Sequence, residues 1–439
     1  MPGKPIHIKG MPYVPGVAHG VLQYKLDSVT PQSVLVISQN DIPSITTLPA
    51  GFIVIDGAPL SHTMIKLLGH GIPTVIINEQ ALVDLNDGIA LSIDGVSGII
   101  TNDPAEVVSP VSITAPTTPG KAINTADGQP VYLRATVQSF AGAKKAMAVG
   151  VESIGLVRSE FFLPEDGSVP DAQYYQKVFT ELCETVKPLT VTIRLLDVAP
   201  DKMLKGLLPD EVVGGTLGQQ GPRLYATEPV RSMLDAQLEA INALTEQYDI
   251  RVLIPYLVNR DELDYWTRYI NKALTKPVPV GAMVETPAGA LDLQNWLGIT
   301  DFVSIGCNDL MQCLFAADRD RPELRQYLDP YAPLLYRFLK PIAPTTTQQS
   351  MNIQICGVLS QLPGVLPILL GLGYRTFSVV PALVPYLAQT IQSIRISEVE
   401  QLAEQVCNAR ETQQVLELLS LTFFSIDKGG QSKKTTATA

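Results

Sequence analysis

The chain has 439 residues, 46% hydrophobic and 17% charged, a balance that suits folded domains with sizeable cores rather than a disordered chain. Its formal net charge of −11 argues against nucleic acid or an anionic membrane as a partner, since both demand clustered Lys and Arg, but allows local binding of a small anion. The five cysteines, Cys183, Cys307, Cys313, Cys356 and Cys407, are scattered and lack CxxC spacing, which argues against a disulfide framework or zinc site and fits a reducing cytosol.

The start, MPGKPIHIKG, has no apolar h-region, so no secretory signal is expected. Short β-type runs follow at SVLVISQ (33–39), GFIVIDG (51–57), TVIIN (74–78) and IALSIDG (89–95), with a helical stretch after Ser61. These predict a small α/β domain over residues 1–110. Residues 108–130 are rich in Pro, Thr, Ser and Gly and read as a linker, assigned to 111–130.

Beyond it, strand-like runs alternate with helical patterns: VYLRATV (131–137), SIGLVR (153–158), LTVTIRLLD (189–197), RVLIPYL (251–257), PVGAMVE (279–285), DFVSIG (301–306), NIQICG (352–357) and YRTFSVV (374–380). Such alternation implies parallel pairing with right-handed crossovers, and eight units suit a (β/α)₈ barrel of the TIM type over 131–425. A doubly wound open sheet is the alternative. The strand ends favour the barrel, because Arg158, Arg194, Glu285, Asp309 and Cys356 fall at or just beyond them, where barrel enzymes place active sites. The apolar stretch 365–387 is broken by Gly371, Gly373, Arg375, Pro381 and Pro385, and reads as a helix followed by a buried strand rather than a membrane span. The tail from residue 426, with KGGQSKKTTATA, is too polar to pack and reads as disordered.

Two strings carry the chemistry. GAMVETPAGA ends a buried run on Glu285, and SIGCNDLMQ ends one on Asn308 and Asp309. Two hard oxygen ligands at adjacent strand ends suit Mg²⁺ or Mn²⁺, which recruit the rest of their shell from water and substrate. Arg158 and Arg194 end apolar strands, where a guanidinium needs an anion. That anion is either a neighbouring acid such as Glu160 or Asp197, or a polyanionic substrate held together with Arg319 of FAADRDR. All four histidines, His7, His19, His62 and His70, lie in the first 70 residues, so a proton donor in the barrel must be another group, and Cys356 is a candidate, although taken alone it reads as a small buried hydrophobe. His62 follows a strand and turn and opens a helix, a position that favours a phosphate, although a surface histidine in a capping region would look the same.

The run GAPLSHTMIKLLGHGIPTVI around His62, the opening MPYVPGVAHG and the barrel strings together resemble the phosphoenolpyruvate-utilising enzymes: Enzyme I of the sugar phosphotransferase system, phosphoenolpyruvate synthase and pyruvate phosphate dikinase. The resemblance runs from about residue 10 to about residue 390. It implies a swivelling domain with a phosphorylated histidine, here His62, and a Mg²⁺-dependent barrel that binds phosphoenolpyruvate or pyruvate. It further implies anion binding by Arg158, Arg194, Arg319 and Arg223, metal ligation by Glu285 and Asp309, and substrate contacts from Asn308 and Lys202. Cys356 resembles the proton donor to the enolate carbon, and a homodimer is implied.

Three positions depart from the family pattern. Gln220 stands where an arginine is usual, Val358 follows Gly357 where an acid usually does, and Leu60 stands before Ser61 where Thr or Cys is frequent. Neither the helical insert that docks a phosphocarrier nor a nucleotide-binding domain is expected within this length, so the acceptor is expected in trans, as a protein or a nucleotide-binding subunit, or to be absent. The expected activity is phosphoryl transfer between phosphoenolpyruvate and His62. The alternatives are one subunit of a split synthase or dikinase and a weakened module that only binds phosphoenolpyruvate or pyruvate.

Overall fold

The computed structural model describes residues 5–107, 119–164, 166–197 and 217–421. The chain divides into two compact units: one from the described residues of Met1–Ile113, Ala317–Tyr331 and Glu411–Ala439, the other from those of Thr114–Ala316 and Ala332–Arg410.

The first unit is built on eight strands: β1 (His7–Lys9), β2 (Met11–Val14), β3 (Val17–Gln23), β4 (Ser33–Ser38), β5 (Gly51–Ile55), β6 (Thr74–Ile77), β7 (Ala90–Asp94) and β8 (Ile99–Thr101). They form one mixed sheet in the order β1-β8-β7-β3-β4-β5-β6-β2. The run β3 to β6 is parallel and the flanking pairs are antiparallel. The innermost strands β4, β5 and β6 are nearly continuous Val, Ile and Leu because they are buried on both faces. Val34, Val36, Ile53, Val75, Ile77 and Ile93 pack one side of the sheet together with Ile6, Leu22 and Leu85. Helix His62–His70 buries Met64, Ile65, Leu67 and Leu68 and ends at Gly71, whose φ of 68° closes the last turn.

In the second unit β9 (Ile123–Asn124) pairs antiparallel with β10. Then β10 (Pro130–Val137), β11 (Ile154–Arg158), β12 (Val191–Arg194), β13 (Ile250–Leu257), β14 (Val280–Val284), β15 (Phe302–Gly306), β16 (Ile353–Cys356) and β17 (Thr376–Val379) each pair parallel with the next. β17 returns to β10 and closes a TIM-type barrel. Surrounding helices are set by caps and apolar stripes. In Ala172–Val186, capped by the Asp171 side chain on Tyr174 N–H, the buried residues Tyr175, Val178, Phe179, Leu182, Cys183 and Val186 recur at helical spacing. Asn259 and Thr286 cap the helices Arg260–Ala273 and Pro287–Trp296 in the same way.

All eight strands read beyond the linker are present, and 365–387 holds a helix, Val365–Gly371, followed by the buried strand β17. Among the described residues no helix is long and apolar enough to cross a membrane. The segments 108–118 and 422–439 lie outside the described residues, so the readings of part of the linker and of the tail fall there.

Candidate active site

Strand β11 ends on Arg158 and its neighbour β12 on Arg194, in register with each other. The short turn Ser159–Phe162 then presents Glu160 between them. Glu160 Oε1 accepts from Arg158 Nε at 3.0 Å and from Arg194 Nη2, and Arg194 Nη1 reaches Asp197 Oδ2 at 2.9 Å and Glu285 Oε1 at 3.8 Å. All five side chains are buried. Burial opposes the charge on Arg194, but Asp197, Glu160, Glu285 and Asp309 together hold its pKa above the ordinary value. Arg194 Nε is buried without a hydrogen-bond partner among the described residues. The Arg158 guanidinium lies 4.6 Å from the Phe161 ring centre. The arginines therefore meet the acids that the sequence offered as their structural partners, Glu160 and Asp197.

Glu285 follows β14 directly, and its Oε2 accepts from Tyr256 N–H at 3.0 Å. Tyr256 has a φ of 49°, which a bulky residue adopts only where its surroundings fix it. Its phenol meets the Gln220 side chain and Cys313 Sγ at 3.6 Å, and the Arg223 guanidinium stands 5.3 Å from its ring centre. Arg223 Nη1 also donates to Gly218 O at 3.2 Å. Sequence reasoning missed Tyr256 because nothing in the apolar run RVLIPYL signals a left-handed residue.

Asp309 occupies the first turn of helix Cys307–Phe315, which begins where β15 ends. Its charge acts on both Arg194 and Tyr256. Glu285 and Asp309 thus come from adjacent parallel strands, and among the described residues no cluster of three or more His, Cys, Asp or Glu side chains is arranged to hold a metal. Glu285 and Asp309 are hard oxygen donors, the type that Mg²⁺ takes beside water and substrate oxygens. Asn308 Oδ1 accepts from Val358 N–H at 3.0 Å, so it anchors the loop after β16. Gly357, with a φ of 95°, allows that approach, since a Cβ there would stand 2.7 Å from Asn308 Oδ1.

Cys356 ends β16 inside the barrel, among Leu156, Leu253, Met283 and Phe302. Its Sγ accepts from Ser304 Oγ at 3.2 Å and donates to Ile305 O at 3.3 Å. Burial pushes its pKa up to about 12, so the group is a thiol at neutral pH. Gln354, two residues earlier and on the same side of β16, donates to Ser304 Oγ at 3.0 Å and accepts from Arg134 Nη1 at 3.3 Å. Ser304 and Gln354 were missed as well, although period-two alternation from Gly306 and Cys356 turns each of them inward.

In the first unit, the loop leading to His62 is tied at Asp56, Ala58, Pro59 and Ser61. Arg325 donates to Asp56 O and, at 3.0 Å, to Asp56 Oδ1; Ala58 N–H reaches Gln39 Oε1 at 2.7 Å; and Tyr13 Oη reaches Pro59 O at 3.1 Å. Ser61 caps the helix through Met64 N–H. His62 then gives its backbone N–H to Asp320 Oδ1 at 2.9 Å, its Nδ1 lies 3.2 Å from Asp320 Oδ2, and Arg319 Nη2 stands 3.4 Å from its Nε2. Arg319, read from the sequence with the barrel arginines, accordingly belongs to the first unit. The reason is local: Ala316, at a φ of 50°, ends helix Cys307–Phe315, and the chain from Ala317 to Tyr331 packs with that unit. Lys202 lies outside the described residues.

Comparison with known proteins agrees with this architecture. The profile of the family described as PEP-utilising enzyme, PEP-binding domain, matches residues 117–396. A phosphoenolpyruvate-protein phosphotransferase of Streptomyces coelicolor is 29% identical over 370 residues, 81% of this chain and 65% of the relative. One of Borreliella burgdorferi is 27% identical over 388 residues, 83% of this chain and 67% of the relative. A multiphosphoryl transfer protein of Xanthomonas campestris is 28% identical over 382 residues, 83% of this chain but only 45% of the relative. The chain thus spans from about half to two thirds of the length of these relatives. Because the profile covers most of the chain and encloses the whole closed barrel, the chain belongs to the family of PEP-utilising enzymes.

Proposed function

We propose that the protein transfers a phosphoryl group between phosphoenolpyruvate and His62, with pyruvate as the other product and a further acceptor supplied in trans. The observation that carries this reading is the Cys356 thiol, held protonated at a strand end of a family barrel, with Arg158 and Arg194 acting on it from neighbouring strand ends where buried acids fix them. Arg158, Arg194 and Arg223 would bind the carboxylate and phosphoryl oxygens, with Asn308 and Lys202 as further contacts. Glu285 and Asp309 would hold Mg²⁺ or Mn²⁺, which supplies neutralisation of charge on the substrate oxygens. His62 Nε2 attacks phosphorus, the bond to the enol oxygen breaks, and the electron pair leaves with pyruvate enolate. The Cys356 thiol gives its proton to the enolate carbon and regains one from water.

A second reading is a module that binds phosphoenolpyruvate without transfer. Gln220 favours it, being buried, neutral and engaged by Tyr256 at the position where the family's arginine is usual. Phosphoenolpyruvate labelled in its phosphoryl group, incubated with the protein and Mg²⁺, separates the two. Transfer predicts an acid-labile, base-stable label that is absent from His62→Ala, with pyruvate released. Binding without label would sink transfer and leave the second reading.

A further inference from the structure

We infer that Asp320 is a positioning residue that fixes the tautomer of His62 and thereby makes Nε2 the phosphoryl-accepting atom. The inference rests on the reading of His62 as the phosphorylated residue. Asp320 is held to the helix start by its own Oδ1, which accepts the His62 backbone N–H at 2.9 Å, and this leaves Oδ2 facing the ring at Nδ1, 3.2 Å away. One carboxylate therefore grips both the backbone and the ring of the same residue. A carboxylate can only accept, so Nδ1 carries the proton and Nε2 carries the lone pair. The other side of the ring agrees with that assignment. Arg319 Nη2, a group that can only donate, faces Nε2 at 3.4 Å, and a guanidinium cannot face a protonated Nε2 productively.

The charge state supports the geometry. Burial alone would raise the pKa of Asp320, but the hydrogen bond and charge of His62, the Arg319 guanidinium and the His62 backbone N–H bring it below the ordinary carboxylate value, so it is ionised near neutrality. The His62 side chain is 12% exposed, that of Arg319 5% and that of Asp320 34%. The ring and the guanidinium are thus shielded while the carboxylate is partly open to solvent, and its hold on the ring comes from its two hydrogen bonds. As the Nε2 lone pair forms its bond to phosphorus and the P–O bond to the enol oxygen breaks, the ring becomes cationic with its proton still on Nδ1. Asp320 lies against that charge, and Arg319 lies where the transferred phosphoryl oxygens arrive. The logic is that of a carboxylate orienting a catalytic imidazole. Nothing local in the sequence announces it, because the two residues are 258 positions apart.

Asp320→Asn tests the inference in the intact chain, with Asp320→Ala as a second variant. The asparagine keeps size and can still accept the backbone N–H, but it presents an NH₂ donor to Nδ1. Imidazole ¹⁵N shifts at pH 8 should show a single Nδ1–H tautomer in the wild type and a shift toward Nε2–H in Asp320→Asn. Labelling of His62 by phosphoramidate, a small donor that needs neither barrel nor metal, should fall by about tenfold or more in both variants. An unchanged tautomer, or a changed tautomer with labelling within about twofold of wild type, overturns the role of Asp320. Wild-type protein that takes label from phosphoramidate but not from phosphoenolpyruvate would count against the proposed transfer while leaving Asp320 to be judged by the same two readouts.

Discussion

Glu160 sits between two guanidiniums, and Cys356 sits in apolar surroundings with its thiol proton engaged, so at the level of single residues the barrel's chemistry depends on burial. Burial raises the Cys356 pKa to about 12, against about 8.5 for a thiol in an unfolded chain. The folded state therefore keeps its proton to higher pH than the unfolded state. Stability from this group is fully present below about pH 8.5 and is lost as the pH rises toward about 12. At pH 8.5 the folded thiolate fraction is smaller than the unfolded one by about a thousandfold, and iodoacetamide should modify Cys356 more slowly in the folded protein by a similar factor. Mass spectrometry of the Cys356 peptide with and without urea measures this, and folded and unfolded rates within about tenfold would remove the protonated thiol from the mechanism. The pairing of Arg158 and Arg194 with Glu160 and Asp197 was legible because each pair lies within three positions in sequence or on neighbouring strand ends. The Asp320 contact was not, since an acid beside Arg319 in FAADRDR carries no sign of which distant residue it meets.

Strand ends set the positions of these side chains, and one glycine shows how tightly. A Cβ on Gly306 would stand 2.6 Å from both Cγ and Oε1 of Glu285, so the Glu285 side chain occupies the space that a side chain at the end of β15 would need. Gly306→Ala should displace the Glu285 carboxylate without changing any ligand, and a misplacement of about 1 Å at such a site costs up to about a hundredfold. Calorimetric titration with phosphoenolpyruvate is expected to show Mg²⁺-dependent binding weakened by tenfold or more, and affinity equal to wild type would sink the proposal that Glu285 holds a metal. The eight barrel strands were readable because strands buried on both faces appear as unbroken apolar runs between helical patterns. β2 and β3 were read only as part of a motif. In β3 the inward positions are Ala18, Gly20 and Leu22, two of them too small to register as an apolar alternation, and β2 contains Pro12. β1, β8 and β9 are two or three residues long and give no pattern.

Across the whole molecule, the chain does not run through one unit and then the other. It leaves the barrel unit after Ala316, contributes Ala317–Tyr331 to the first unit, and returns at Ala332. That excursion carries three of the charged groups in the His62 region: Arg319, Asp320 and Arg325. A boundary drawn from composition could not find it, because fifteen residues between two helices look like an ordinary connection. The division implies that substitutions should sort by unit rather than by position along the chain. Arg325→Ala removes the donor to Asp56 O and Oδ1, loosening the loop that delivers His62, while touching none of the residues at the barrel strand ends. It should slow His62 labelling by phosphoramidate severalfold and broaden the imidazole ¹⁵N signals, with the affinity for phosphoenolpyruvate and Mg²⁺ unchanged. Glu285→Gln, in the barrel, should do the reverse: it abolishes the Mg²⁺ dependence of phosphoenolpyruvate binding and leaves the His62 tautomer and its phosphoramidate labelling as in wild type. Both variants measured by the same titration and the same labelling assay give a two-by-two comparison. Equal loss of phosphoenolpyruvate affinity in Arg325→Ala and Glu285→Gln would mean that the excursion supports the barrel site and that the two functions are not separable by unit.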